Sequence, residues 1–345
     1  FQAEDGIRDS VASRGLGDVY KRQEVFYKGE IAEKISEDMK NNGGLLTYED
    51  LSTYSTKWTD PLLGSYRDFS ISTNHPPGGG IMLLEMLNIL ENFNLAELGH
   101  NSTEYIRIVA EAMKQATVDK ESFVGDPDFV NVPIKRLLSK KHAMQCSKHI
   151  LSGTKINIDR IGQFESKDTT HVSVVDKHGN CVTMTHSLGM PSGAITDGLG
   201  FMYNGCMAVF DPRPGRAGSI EPGKSRFSSL APTIVTKDSV PYMVLGAPGG
   251  TQIAMGILQT ILNVIEFEMN MLEAVSAPRF SSTSNIIDVM NRIPSYVTEG
   301  LEELNYDVQR SALTFGIAAV HGIRIKDGVM DGGADPGHDG MSLSI

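Results

Sequence analysis

The segment Asp168-Thr169-Thr170-His171-Val172-Ser173 stands where a polar, poorly periodic stretch (152–167) meets the first strand-like run of the second half of the chain. A threonine at a strand start has two readings. In one it is a β-branched residue suited to a pleated surface. In the other it is a nucleophile whose own amine becomes the general base once the peptide bond before it is cut. Periodicity alone does not choose between them. His171 and His186 sit in the same strand-like runs, but neither has a second or third ligand at metal spacing, so both read as packed or hydrogen-bonded side chains. Asp126 and Asp128, in Gly125-Asp126-Pro127-Asp128, lack calcium-loop spacing and read as a solvated turn. Cys146, Cys181 and Cys206 are too few and too scattered for a disulfide framework or a zinc site.

Such residues need a scaffold. Ile31, Ile35 and Met39 recur at every fourth position, and the run stops at Asn41-Asn42-Gly43-Gly44, which predicts a helix with a glycine exit. Thr47 ahead of Glu49-Asp50 caps a second, short helix. Residues 66–72 alternate like a strand before the punctuation His75-Pro76-Pro77-Gly78-Gly79-Gly80. Apolar spacing predicts helices near 80–92, 102–118 and 135–150. Beyond Asp168 the strand-like runs 170–176 and 181–187 flank the turn Lys177-His178-Gly179-Asn180 and predict a hairpin. Strands follow at 232–236 and 241–246, then the turn Ala247-Pro248-Gly249-Gly250 and a helix to Ile265. Helices near 270–277 and 295–304 and strands near 306–310 and 316–325 close the chain. Strands paired as hairpins, with helices grouped elsewhere, predict an α+β fold in which helices cover an antiparallel sheet.

Of the 345 residues, 31 are Lys or Arg and 42 are Asp or Glu, a formal net charge of −11. Without a basic cluster the chain lacks the means to neutralise a phosphate backbone, so nucleic acid is not the expected partner. No uncharged apolar run reaches about eighteen residues, so no membrane span is expected. Residues 1–23 carry no apolar signal core and resemble translated sequencing-adapter DNA; they are set aside as non-native. On that reading the native start lies upstream, and the compartment, exported or cytoplasmic, stays unassigned.

Ordered motifs run over nearly the whole chain: FYKGEIAEKI (26–35), NNGGLLTYEDL (41–51), HPPGGG (75–80), LNILENFNL (87–95) and EAMKQATVDKESFVGDPDFVNVP (111–133), then DTTHVSVVDKHGN (168–180), SRFSSLAPTIV (225–235), GAPGGTQI (246–253) and SAPRF (276–280). With these the chain resembles the gamma-glutamyltranspeptidase family of N-terminal-nucleophile hydrolases, whose precursors cut themselves into a large and a small subunit. The resemblance implies a four-layer αββα sandwich, incomplete here because the N-terminal part of the large subunit is missing, and it implies exposed sheet edges. Residues 24–168 would be the C-terminal, mostly helical part of the large subunit, and 169–345 the strand-rich small subunit. The cut would fall between Asp168 and Thr169. Thr169 would be the nucleophile and, through its freed amine, the base. Ser187 would be the supporting hydroxyl, where the family commonly has threonine. Gly249 and Gly250 would form the oxyanion hole with backbone N–H groups. Ser228 and Ser229 would bind the donor carboxylate, with Arg226 as a supplementary cation. An amine, a hydroxyl and an oxyanion hole suffice for acyl transfer, so no cofactor and no metal is implied.

The pattern also departs from the family. Where a glutamyl ammonium would be held by an Asn and an Asp, this chain has Gly189 and Val209, and the neighbouring Gln is replaced by Cys206. A valine cannot pair with an ammonium. The resemblance therefore implies an autoproteolytic threonine hydrolase or acyltransferase acting on a small-molecule amide, of γ-glutamyl or related acyl type. Its alternatives are an oxamate-type amidohydrolase or acylase without glutamyl transfer, and an uncleaved binding protein. The expected partners are the two subunits of one precursor, with a homodimer of the cleaved pair as a candidate assembly.

Overall fold

The computed structural model describes residues 23–159 and 169–344. Residues 1–22 of the adapter-like segment and Asp168 lie outside them. The chain divides into two compact units, residues 1–59 with 191–204, and residues 60–190 with 205–345.

In the first unit, α1 (Glu30–Asn41) turns Ala32 and Ile35 inward. α2 (Tyr48–Ser52) starts on a reciprocal capping box, in which Asp50 N donates to Thr47 Oγ1 and Thr47 N donates to Asp50 Oδ2, satisfying two end donors at once. Ala32, Ile35 and Leu51 pack with Phe26, Tyr27, Leu199, Phe201 and Tyr203.

In the second unit, β1 (Leu62–Tyr66) and β2 (Phe69–Thr73) form a hairpin across Arg67-Asp68. The strand expected at 66–72 thus covers most of β2, but it also takes in the turn and the last residue of β1. Arg67 takes φ 51° there without a glycine to announce it. Next come α3 (Gly80–Leu90), α4 (Leu95–Leu98), α5 (Thr103–Phe123), α6 (Ile134–Leu137) and α7 (Lys140–Leu151). The expected helix at 135–150 is split because Ser139 caps α7, its Oγ accepting from His142 N at 3.1 Å. The strand-rich part holds β3 (Thr169–Val175), β4 (Cys181–Ser187), β5 (Thr233–Lys237), β6 (Val240–Gly246), α8 (Ile253–Glu266), α9 (Met271–Ser276), β7 (Phe280–Ser281), β8 (Ile286–Val289), α10 (Ser295–Glu303), β9 (Asp307–Arg310), β10 (His321–Lys326) and β11 (Val329–Ala334).

Six strands make one antiparallel sheet in the order β1-β2-β5-β6-β10-β11. Alternation along β6 separates its two faces. Met243 and Leu245 join the apolar core formed with α3, α5 and α8. Gly246, on the opposite face, lies under the His171 ring, and a Cβ there would run into the imidazole. The β3–β4 hairpin is seated on that second face, with Thr183 Oγ1 donating to Leu245 O at 3.1 Å. The layers are therefore helices, sheet and hairpin, an α+β arrangement as the sequence predicted. Val172, Val174, Val182 and Met184 form the exposed outer side of the hairpin. β7, β8 and β9 make a small separate sheet in which β8 and β9 run parallel. No helix among the described residues is long and apolar enough to cross a membrane.

Candidate active site

The hairpin register brings two hydroxyls together. Thr169, at the start of β3 and buried, is the direct partner of Ser187 at the end of β4, and their oxygens are 2.7 Å apart. Ser187 Oγ also accepts the Gly189 N–H at 2.8 Å. A slip of one residue would replace this pair by a side chain of the opposite face, so the inward alternation of the hairpin fixes it. His171 also points inward, with Nδ1 2.8 Å from Thr185 Oγ1 and Nε2 2.9 Å from Ser173 Oγ. Burial, aided by nearby His321, pushes its pKa down to about 4, so it is neutral at pH 7. The reading of a packed, hydrogen-bonded histidine fits His171. His186 falls on the outer face and is exposed.

A cavity opens beside Thr169 and Ser187, and Arg226, Ser228, Ser229 and Gly250 line it too. Ser228 Oγ is buried and has no hydrogen-bond partner among the described residues, an unspent donor on the wall of a cavity. Its backbone is held by the His75–Gly80 tract. Ser228 N donates to Pro77 O at 2.8 Å, and Gly79 N and Asn74 Nδ2 donate to Leu230 O at 2.9 and 2.7 Å. Gly249 at φ 141° and Gly250 at φ 56° form the turn into α8. A Cβ on Gly249 would lie 2.6 Å from Ala318 Cα. Of the expected site residues among the described ones, only Gly249 is not on this cavity wall; it lines a neighbouring cavity with Arg279 and Asp335. The Asp168–Thr169 bond lies at the edge of the described residues, and Asp168 falls outside them.

Three positioning groups escaped the sequence reading. Asp126 is not a solvated turn residue. It is buried, and its carboxylate accepts Ser225 N at 2.7 Å and Asp128 N at 3.1 Å. The His75–Gly80 tract, read only as punctuation, is the backbone partner of residues 228–230. Arg279, fully buried, donates to Ile317 O at 3.0 Å and Ala318 O at 2.9 Å and forms an ion pair with Asp335. It thereby holds the segment against which Gly249 packs. An arginine set among apolar residues in SAPRF, and an aspartate between Gly125 and Pro127, were the available signals.

The departures from the family pattern form one local arrangement. Gly189 has φ 70°, and a Cβ there would collide with Cys206 Sγ. The Cys206 thiol donates to Leu188 O at 3.3 Å. Val209 lines the cavity together with apolar Met82, Phe210 and Leu230. The acidic side chains on the wall are already engaged, Asp211 by a two-pronged Arg213 and Glu121 by Lys120. Arg226 donates to Phe227 O at 2.8 Å and makes no ion pair among the described residues.

Comparison with known proteins identifies the family. The family model described as gamma-glutamyltranspeptidase matches residues 10–345. The chain is 36% identical over 330 residues to the glutathione hydrolase proenzyme of Escherichia coli (strain K12), covering 90% of this chain and 57% of the relative. It is 36% identical over 327 residues to the acylase ACY 1 proenzyme of Pseudomonas sp. (strain V22), covering 93% and 58%. Among solved structures, cephalosporin acylase from Bacillus halodurans superposes with a TM-score of 0.83 at 27% identity, covering 96% of this chain and 61% of that one. The chain thus spans less than two thirds of the length of these relatives. Helices over an antiparallel sheet, an inward hydroxyl pair at the hairpin mouth and a family match over nearly all residues lead to one conclusion: the chain belongs to the gamma-glutamyltranspeptidase family.

Proposed function

We propose that this chain carries the reaction centre of a self-processing amide hydrolase or acyltransferase, with Thr169 as its nucleophile. The 2.7 Å approach of Thr169 Oγ1 and Ser187 Oγ at the wall of the cavity carries the reading. In processing, Thr169 Oγ1 attacks the Asp168 carbonyl carbon, and the C–N bond breaks as the acyl group passes from nitrogen to oxygen. Water then opens the ester, leaving a carboxylate on Asp168 and a free amine on Thr169. In turnover that amine takes the hydroxyl proton while Oγ1 attacks the substrate carbonyl. The N–H groups at Gly249 and Gly250 stabilise the oxyanion, and the leaving amine departs with the proton. Water or an acceptor amine then releases the acyl group.

The substrate side of the reading rests on the cavity wall. Ser228 Oγ, with no hydrogen-bond partner among the described residues, and Arg226, with no ion pair among them, suit a carboxylate on the acyl group. Val209 and Gly189 offer nothing to an ammonium. The favoured substrates are therefore amides of acyl groups with an anionic end and no α-amino group, rather than γ-glutamyl compounds. Intact-mass measurement tests the nucleophile: two chains, the second starting at Thr169, are expected, and Thr169→Ala should stay whole. Parallel assays of glutaryl and γ-glutamyl anilides test the substrate class, and faster release from the γ-glutamyl compound would overturn it.

A further inference from the structure

α3 is buried along its whole length and apolar except at Glu85 and Asn88. Glu85 is 2% exposed, in the middle of a helix that otherwise builds the core. Two other helices bring further side chains to it: Asp119 from α5, and His142 from α7. His142 Nε2 lies 2.9 Å from Glu85 Oε1 and 3.3 Å from Asp119 Oδ2, and the three donor atoms all lie within 4.8 Å of one another. One turn further along α7, buried Cys146 brings Sγ to 3.6 Å from the same nitrogen.

We propose that Glu85, Asp119 and His142 are the three protein ligands of one divalent transition-metal ion of the zinc type. Tetrahedral bonds of about 2.0 to 2.3 Å hold ligand atoms roughly 3.3 to 3.7 Å apart. His142 Nε2 stands at the lower edge of that range from Asp119 Oδ2, at 3.3 Å, and short of it from Glu85 Oε1, at 2.9 Å. The donor set of one imidazole and two carboxylates suits zinc rather than magnesium or calcium, which take oxygen ligands. Charge points the same way. With both buried carboxylates ionised, an imidazolium offsets only one of them. The nearest further cation on Asp119, Arg136, stands 3.8 Å away with a half-exposed side chain. A divalent ion offsets both carboxylates with the imidazole neutral. Binding releases to solvent the imidazolium proton and the proton that burial favours on the Glu85 carboxyl, and no redox change occurs. Gln115 Nε2, donating to Asp119 Oδ2 at 2.5 Å, supplies the outer hydrogen bond that orients a metal-binding carboxylate.

The ion would staple three helices. α3 and α5 also carry Met82 and Thr117, which line the cavity beside Thr169, so the staple would stiffen one wall of it without touching the reacting atoms.

The test is cobalt(II) titration of the metal-stripped, tag-free full chain, read by visible absorption and by thermal melting with zinc. One equivalent of cobalt should bind with the intense visible bands of a four-coordinate ion, and zinc should raise the melting midpoint. Asp119→Asn should weaken cobalt binding at least about ten-fold. Cys146→Ser, which leaves the carboxylates and imidazole in place, should fold normally and keep the cobalt bands. No cobalt uptake by the wild-type chain would overturn the site, as would uptake unchanged in Asp119→Asn. A sulfur-to-metal charge-transfer band that vanishes in Cys146→Ser would overturn the three-ligand set.

Discussion

Asp126 Oδ2 accepts the Ser225 N–H at 2.7 Å, so a buried carboxylate from the loop after α5 fixes the backbone one residue before Arg226. The same carboxylate accepts Asp128 N at 3.1 Å. Asp126→Ala would remove the charged acceptor of the Ser225 and Asp128 N–H groups and should cost about 2 kcal/mol of unfolding free energy. The Arg226–Ser229 segment would lose its anchor, so KM should rise more than kcat falls. Asp126→Asn keeps one acceptor oxygen and should lose less on both scales. Urea denaturation with steady-state kinetics on both variants checks the ordering.

Gly79 lies close against the backbone of the serines proposed to bind the carboxylate. A Cβ there would lie 2.5 Å from Ser229 O and 2.8 Å from Ser229 C, both backbone atoms that cannot swing aside. Gly79 itself has φ −75°, which alanine adopts freely, so Gly79→Ala tests close approach alone. A displaced Ser228–Ser229 pair should lower kcat/KM by about ten-fold or more, while cleavage before Thr169 continues. An alanine variant with unchanged kinetics would show that the tract does not position the serines.

The hairpin should carry a pH signature. The folded pKa of His171, about 4, is depressed below the ordinary histidine value by burial, with His321 as the nearby charge. A group of this kind contributes stability fully above its unfolded pKa of about 6.5 and loses it as pH falls toward 4, because the unfolded chain binds the proton first. The loss over that window should approach roughly 3 kcal/mol. His171→Gln, which cannot titrate, should be less stable at pH 7 but flatter between pH 6.5 and 4. Unfolding curves across that window decide it, and parallel pH slopes for the two proteins would exclude His171 as the cause.

The sequence shows local features better than distant partnerships. The β3–β4 hairpin is visible because alternation and turn residues agree over residues 169–187, and the Thr169–Ser187 pair follows from its register. α3, α5 and α8 are visible because buried apolar residues dominate them. β11 is not visible, since Asp331-Gly332-Gly333 breaks any alternation, and Gly333 is there because its backbone crosses that of Met271 and Leu272. The His75–Gly80 tract announces a turn, but nothing local says that its partner is Ser228. The Glu85, Asp119 and His142 cluster fails a ligand-spacing search for the same reason, because packing of three helices brings it together.

Ser187 separates hydroxyl chemistry from simple packing. Its Oγ accepts Gly189 N–H at 2.8 Å while meeting Thr169 Oγ1 at 2.7 Å, which leaves its proton free to polarise the nucleophile. Ser187→Ala should slow both self-cleavage and turnover by about ten- to a hundred-fold. Ser187→Thr should restore both, since the hydroxyl returns on the same strand position. Time-resolved mass spectra of freshly refolded protein follow the first effect and anilide release the second. Processing at the wild-type rate in the alanine variant would remove the hydroxyl from the mechanism.

The chain's selectivity should be convertible from one side only. Val209 lines the cavity where an ammonium would need a carboxylate, and burying the unpaired ammonium is costly. Val209→Asp should therefore raise turnover of γ-glutamyl relative to glutaryl anilide by about ten-fold or more. It should also lower glutaryl turnover, because the new charge faces a substrate carboxylate. Gly189→Asn should fail alone. Its φ of 70° and the Cys206 sulfur both oppose a side chain at 189, so the single variant should be destabilised without gaining γ-glutamyl activity. Shortening Cys206 to glycine in the same chain relieves the second obstacle, and Gly189→Asn should then add to the effect of Val209→Asp. Substrate ratios for the single, double and triple variants test this coupling. A Gly189→Asn chain that gains γ-glutamyl turnover with Cys206 intact would show that the sulfur is not what closes the site.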